Sequence, residues 1–493
     1  MYGNITGHNN NSSYRPGQGM LITFDVLIVL AAILLYSLTL YIGPGGRVMP
    51  GDTAKFQYAG LVLGIPHTPG YPLYVMLTAL WLKTGAWLEP ATGVNFLSVI
   101  IAAGTLVVLH HAMRKAGISA AAGLCSVLML MVTPVFWTYA TQAGPGILSF
   151  FLMAVMLYCL LTWFDSGSES HLFTGIIMLC VAAGHDPVSI WFLVPVLALL
   201  IILHPAIVRT AVFWIALYCG LTLGFGVYVF VLIRSYAPAP LTEYVGHNVS
   251  AIRLIKTMFN AQFWPNYFVV GPQAILTVRL SGVGRMLFQQ LPIAAFALAF
   301  PGFLLAWQRS RKTAVLTLVF AMTAFMAVIH QFMTWPAGQF WPLYLLAAFW
   351  AGFVLDWFWR RKIIYGILFI GSVILITGVP AASRAAERLR TNSGYELDDV
   401  FLAMTKSSVL LADDEYTWEQ IMNYYRYTDP FIGKRELIVS SELRDPGKRA
   451  HYFISPDVKA QLDEAKIPYV PVYSNHAAQI YIIGRKKPEN EIK

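Results

Sequence analysis

The chain has 493 residues, 57% of them hydrophobic and 12% charged, with a mean hydropathy of +0.60 and a formal net charge of +9. These values exclude an ordinary soluble domain. The basic residues fall in short tracts between apolar runs, Arg114-Lys115, Arg309 to Lys312 and Arg360 to Lys362, which is the positive-inside pattern and gives no reason to expect nucleic acid as a partner.

Residues 1–20 are rich in Asn, Gly and Ser, with no basic n-region and no small-residue cleavage site after the first apolar run. We read them as a cytoplasmic tail before a retained anchor. Apolar runs of the length that crosses ~30 Å of hydrocarbon predict about eleven spans. These lie near 21–43, 93–111, 118–137, 145–164, 172–184, 187–204, 210–233, 289–307, 313–332, 340–358 and 363–380, and with the amino terminus inside, every basic tract named above falls on the cytoplasmic side. The apolar stretch Tyr71 to Trp87 is expected as a helix lying along the outer interface, because counting it as a span would put Arg114-Lys115 outside. Cys125, Cys159, Cys180 and Cys219 all sit in apolar segments, so they build no disulfide framework in the aqueous parts.

The expected fold is an all-α polytopic membrane domain over 21–380, with outer loops at 44–92 and 234–288, followed by a small extracytoplasmic α/β domain over 381–493. Within the latter, Ser408 to Leu411, Glu436 to Val439, Tyr469 to Tyr473 and Gln479 to Ile483 read as strands. Thr417 to Tyr427 and Pro456 to Ala465 read as helices.

The stretch richest in chemistry follows the first span: Gly51-Asp52-Thr53-Ala54-Lys55-Phe56-Gln57, then Leu63-Gly64-Ile65-Pro66-His67-Thr68-Pro69-Gly70-Tyr71-Pro72-Leu73. A carboxylate at the outer rim can take a proton from a hydroxyl arriving in water while a second substrate waits in lipid, which makes Asp52 the candidate general base. The plainer reading is that Asp52 caps the helix after it. The Pro- and Gly-rich run brings His67 and Tyr71 to the same rim. His185-Asp186 at a hairpin tip is a further polar pair, and equally a satisfied turn. Arg234, Arg253, Lys256 and Lys55 lie in outer loops where they could hold a phosphate or simply touch lipid headgroups.

This order of motifs resembles the family of polytopic proteins that includes protein O-mannosyltransferases, in the GT-C class of membrane glycosyltransferases. The family's rim carries Gly-Asp-Ser-Gly-Glu and then Gly-x-x-His-Pro-Pro-Gly-Tyr-Pro-Leu, and the second part matches closely here. Ala183 to Ser189, Ile233 to Pro238, Phe340-Trp341-Pro342 and the run Ser408 to Asp413 with Asn423-Tyr424-Tyr425 resemble later family motifs in order. Two acidic positions depart from the pattern: Lys55 stands where the family has Glu, and Ala140 to Pro145 where it has Ala-Glu-Val-Tyr. The Asn-Trp-Gly-Asp after the Arg-Ser loop is also absent.

The resemblance implies a multi-pass protein, of the bacterial inner membrane by first choice. It would transfer a sugar, mannose among the candidates, from a polyprenyl-phosphate donor to a protein or glycan hydroxyl on the extracytoplasmic face. Asp52 would be the base, and Lys55, His67, Tyr71, His185, Asp186, Arg234, Arg253 and Lys256 would bind substrate. No cofactor is specified and a divalent metal stays open. The alternative, motivated by the two lost acids, is a catalytically inactive relative serving as a subunit or scaffold of a membrane complex. A transporter fits less well, since intramembrane charges are few and no inverted repeat is visible.

Overall fold

A computed structural model describes residues 18–46, 50–84, 88–237, 249–259, 279–290, 293–329, 337–361, 409–411, 415–429, 438–440, 451–453, 469–474 and 479–483, with a few isolated positions between them. The described residues form a helical bundle with a small sheet contributed by the carboxyl-terminal part. In chain order the first helices are α1 (Gln18–Leu38), α2 (Pro50–Val62), α3 (Pro72–Thr84), α4 (Pro90–Lys115), α5 (Ala120–Met131) and α6 (Pro134–Thr141). They are followed by α7 (Gly146–Ser166), α8 (Glu169–His185), α9 (Ile190–Leu203), α10 (Ala211–Gly226), α11 (Val229–Tyr236) and α12 (Ala251–Met258). Then come α13 (Leu280–Gln290), α14 (Ile293–Arg309), α15 (Arg311–Ile329), α16 (Trp341–Arg361) and, near the carboxyl end, α17 (Glu415–Thr428).

Among the described residues five helical segments, one of them α10 continued into α11, are long and apolar enough to cross a membrane, or six if the bent pair α5 and α6 counts as one. With shorter apolar helices beside them, the chain is an integral multi-pass membrane protein. The run expected as one span over 118–137 is broken. Pro134 has no N–H to continue α5, the preceding Thr133 is extended at φ −66° and ψ 127°, and the two helices meet at 72°. The first helix ends at Leu38, short of the expected 43, and the expected spans over 172–184 and 187–204 appear as α8 and α9, of 17 and 14 residues. The expected span over 363–380 and helix over 456–465 lie almost wholly outside the described residues.

The bundle has two chemically different ends. At one, Asp356 is fully buried near the end of α16 and accepts from Arg309 and Arg360, each at 2.8 Å, and from the Ser119 amide at 2.7 Å. Arg309 and Arg360 also donate to the Gly117 carbonyl, and Arg114 donates to that of Ile118, so the basic tracts bind the turn between α4 and α5 to two other helices. Asp25, the charge inside the first apolar run, is met from α4 by His111 Nε2 at 3.0 Å and His110 Nδ1 at 3.5 Å. At the opposite end stand α2, α3 and the start of α4, where Glu89 caps the helix by accepting from the amides of Ala91 and Thr92 at 3.0 and 2.8 Å.

Between the ends, α8 and α10 approach closely. A Cβ on Gly184 would stand 2.0 Å from the Gly224 carbonyl oxygen, so two glycines let the backbones touch. The carboxyl-terminal strands β1 (Val409–Leu411), β2 (Ile438–Ser440), β3 (His451–Phe453), β4 (Tyr469–Ser474) and β5 (Gln479–Ile483) make one sheet in the order β2-β1-β3-β5-β4. Strand β1 runs parallel to β2 and β3, while β5 is antiparallel to β3 and β4. Of these, β3 has no counterpart among the expected strands.

Candidate functional site

Helix α2 carries the rim motif. Pro50 opens it with a fixed φ, and Asp52 lies in its first turn, where a carboxylate is favoured by the exposed amides and the helix dipole. Asp52 therefore lies inside the first turn and not at the N-cap position that a capping role requires, and its side chain reaches outward. Its Oδ1 accepts from the Tyr416 hydroxyl at 2.6 Å, and His67 Nδ1 and Lys55 Nζ lie 3.5 and 3.8 Å from the same oxygen. Lys55, one helical turn on, is fully buried, donates to the Tyr416 hydroxyl, and holds its ammonium 4.7 Å from the centre of that ring.

The turn after α2 folds back on the helix. His67 packs edge-on against Phe56 and Tyr71, with ring centroids 5.4 and 5.6 Å apart. Tyr71 adopts a left-handed backbone with φ 43°, a conformation uncommon for a residue with a bulky side chain, and the Thr68-Pro69 peptide is cis. The Tyr71 ring meets His185 at 6.0 Å. Burial, then the nearby Asp186 carboxylate, and after these Tyr228, Asp52 and Tyr139, push the Tyr71 phenol well above its ordinary range. Asp52, Lys55, His67, Tyr71, His185 and Asp186 are therefore gathered into one neighbourhood.

Within it, Asp186 closes the hairpin: Oδ1 accepts from the amides of Val188 and Ser189 at 2.8 and 3.0 Å, and Oδ2 from Ser149 at 3.0 Å. The adjacent His185 is buried, and its Nε2 donates to the Pro145 carbonyl at 3.1 Å. A carbonyl can only accept, so this bond places a proton on Nε2. Nδ1 has no hydrogen-bond partner among the described residues.

The other basic candidates lie elsewhere. Arg234 donates through Nε and a terminal nitrogen to the carbonyls of Leu63 and Val62 at 2.7 and 3.0 Å, capping the end of α2 opposite Asp52, about 15 Å along the helix. Arg253 and Lys256 are exposed on α12 beside the exposed Ile252 and Ile255.

Three contributors have no site role in the sequence reading, although Gln57 and Gln142 lie in segments it singles out. Tyr416 arrives from α17, 364 positions from Asp52, and nothing local to it signals the contact. Gln57 is fully buried one turn beyond Thr53, accepts from the Gly45 amide at 2.8 Å, and donates toward the Gly43 and Gly45 carbonyls and Asn95, shaping the loop before α2. Gln142, in the segment where an acidic residue was expected, donates to Thr53 Oγ1 at 3.2 Å. The two departures at acidic positions thus both touch the start of α2, Lys55 beside Asp52 and Gln142 on Thr53.

Among the described residues no group of three His, Cys, Asp or Glu could hold a metal ion, and Asp52 Oδ1 has the Lys55 ammonium 3.8 Å away.

Residues 52–241 match the sequence family of the protein O-mannosyl-transferase TMEM260 N-terminal domain, which is less than half of the chain. In three dimensions the chain is similar to ArnT from Cupriavidus metallidurans, a structure bound to undecaprenyl phosphate, with a TM-score of 0.60 and 13% identity over 95% of this chain and 98% of that one. It is also similar to an oligosaccharyltransferase from Archaeoglobus fulgidus, in a complex with zinc and sulfate, with a TM-score of 0.52 and 13% identity over 81% of this chain and 61% of that one. No curated protein matches it in sequence. At this identity the structural likeness establishes a GT-C-like fold and nothing about substrate.

Proposed function

We propose that this chain, whose residues 52–241 belong to the family of protein O-mannosyl-transferase TMEM260 N-terminal domains, is a GT-C glycosyltransferase. It transfers a sugar from a polyprenyl-phosphate donor to a protein or glycan hydroxyl on the extracytoplasmic side. The observation that carries this reading is the convergence on Asp52 of His67, Lys55 and Tyr416 at the end of the bundle opposite the basic tracts.

Asp52 takes the acceptor's proton as the acceptor oxygen attacks the anomeric carbon and the lipid phosphate departs. The phosphate is a good leaving group and needs no second carboxylic acid to protonate it. His67 and Tyr71 line the approach. His185, whose Nδ1 can accept, and the hairpin fixed by Asp186 form its far wall. Arg253 and Lys256, exposed among apolar side chains on α12, suit the phosphate-bearing surface of the membrane, and Arg234 keeps the end of α2 in place beside them. The eleven-span topology and the extracytoplasmic α/β domain are part of the same proposal.

The test is transfer of labelled sugar from a panel of polyprenyl-phosphate donors by the full chain in nanodiscs. Asp52→Asn is expected to reduce turnover by about 100-fold or more. A second reading, a non-catalytic subunit of a membrane complex, is favoured by one observation: Asp52 Oδ1 is already engaged by Tyr416. Stoichiometric partners co-purifying with a chain that gives no turnover, whether wild type or Asp52→Asn, would select it.

A further inference from the structure

The contact between Tyr416 and Asp52 joins the two extremes of the chain, and several independent contacts impose it. Tyr58 on α2 donates to Gln420 Oε1 at 2.7 Å and packs its ring 5.6 Å from that of Tyr427, while the Ala91 amide at the head of α4 donates to the Tyr424 hydroxyl at 3.2 Å. Gly51 completes the fit: a Cβ there would lie 2.8 Å from Tyr416 Cδ1 and 3.0 Å from the Thr417 backbone. Helix α17 is thereby seated on α2 with the Tyr416 phenol over the first turn.

The phenol has a defined place in a chain of donors. Lys55 Nζ stands 3.8 Å from Asp52 Oδ1, beyond hydrogen-bond reach, but donates to the Tyr416 hydroxyl, which in turn donates to Oδ1 at 2.6 Å. A hydroxyl that accepts from an ammonium is polarised into a stronger donor, and a hydrogen bond to a carboxylate at this length is of the charge-assisted kind. Among the described residues, no hydrogen bond is made to the other oxygen, Oδ2.

We propose that Tyr416 is a positioning residue for transfer, pinning Oδ1 of Asp52 and relaying to it the charge of Lys55, so that Oδ2 is the oxygen presented to the acceptor. This rests on Asp52 being the base. In the step, the acceptor hydroxyl passes its proton to Oδ2, its oxygen forms the bond to the anomeric carbon, and the bond from that carbon to the phosphate oxygen breaks, its electron pair leaving with the phosphate. The carboxyl-terminal helix then belongs to the catalytic site, and Lys55, at a position where the family pattern has an acid, is a working part of it.

The experiment is steady-state transfer by the full chain in nanodiscs, alongside its thermal unfolding. Tyr416→Phe is expected to lower kcat about 10- to 100-fold, the loss that follows from removing one hydrogen bond to a charged group, with KM for the donor and Tm unchanged. Lys55→Met should lower kcat similarly, and the double variant should fall no further than the worse single one, because the two act through one oxygen. Wild-type kcat in Tyr416→Phe, in a preparation where Asp52→Asn is inactive, overturns the proposal and leaves Asp52 as base. Loss of kcat, KM and Tm together marks a merely structural contact and overturns it too. Absence of transfer by the wild type overturns the reading of the site itself. Should Tyr416→Phe fail to fold, Gly51→Ala, which displaces the Tyr416 ring, is expected to reproduce the kcat loss, and an unchanged kcat there is equally fatal.

Discussion

Gln142 Nε2 donates to Thr53 Oγ1 at 3.2 Å, next to Asp52 in sequence and two residues before the buried Lys55. An amide and an ammonium therefore occupy the surroundings where the family pattern supplies acids. The substitutions are matched in chemistry, since Lys55 neutralises a carboxylate that Gln142 does not crowd with a second charge. Lys55→Glu reverses this and sets two carboxylates against each other, one of them at a fully buried position. Breaking such a buried pair costs about 3–5 kcal/mol, and with Asp52 partly exposed the lower end applies. Thermal unfolding in nanodiscs should show a clear drop in Tm for Lys55→Glu and a smaller one for Lys55→Met. Equal stability of all three proteins would contradict the contact.

At the opposite end, Asp356 is the hub of the basic cluster, holding Arg309, Arg360 and the Ser119 amide from a fully buried position. Asp356→Ala leaves two guanidinium groups without their carboxylate and should destabilise the chain by about 3–5 kcal/mol. Asp356→Asn keeps an acceptor for the amide and should cost less. Arg360→Ala, on a half-exposed side chain, should cost about 1 kcal/mol or less. This order of Tm values, alanine lowest, is the measurement.

Much of the site was legible because it is local. Asp52, Lys55, His67 and Tyr71 lie within twenty positions, and the Pro- and Gly-rich run between them predicts the turn that brings the last two back to the first. His185-Asp186 was legible as a hairpin tip, though its approach to Tyr71 was not. Tyr416 was out of reach because α17 reads only as an amphipathic helix, and which of its residues meets α2 depends on a docking no periodicity encodes. Arg234 shows the converse: its position in a motif suggested a phosphate ligand, while the structure places its guanidinium on the carbonyls that end α2. The break at Pro134 was written in the sequence, but apolar length concealed it. Strand β3, three residues long, has too short a pattern to read.

The contact of α8 with α10 makes a prediction about packing. Gly224 mirrors Gly184, its own Cβ falling 2.3 Å from the Cys180 carbonyl oxygen. Backbone on both sides leaves no flexible side chain to yield, so Gly184→Ala or Gly224→Ala must push the helices apart. Each should cost about 1–3 kcal/mol and lower Tm. Gly184→Ala should also reduce turnover, because it displaces His185. Gly144→Ala, at a position where a Cβ meets nothing within 4 Å, serves as the control and should leave Tm near wild type.

The Tyr71 phenol supplies a pH dependence whose sign can be worked out. Its pKa in the folded chain is raised above the ordinary value of 10.0, first by burial and next by Asp186, so the folded state holds this proton more tightly than the unfolded chain does. The stability this gives is fully present below the unfolded pKa. It is lost as pH rises from about 10 toward the folded pKa, because the unfolded chain ionises first. Tyr71→Phe removes the ionisation, so its Tm should fall less steeply than that of the wild type above pH 10, with little difference in slope at neutral pH. Parallel Tm profiles across the alkaline range would show that Tyr71 ionises as readily in the fold as outside it, and would remove the buried phenol from the wall of the site.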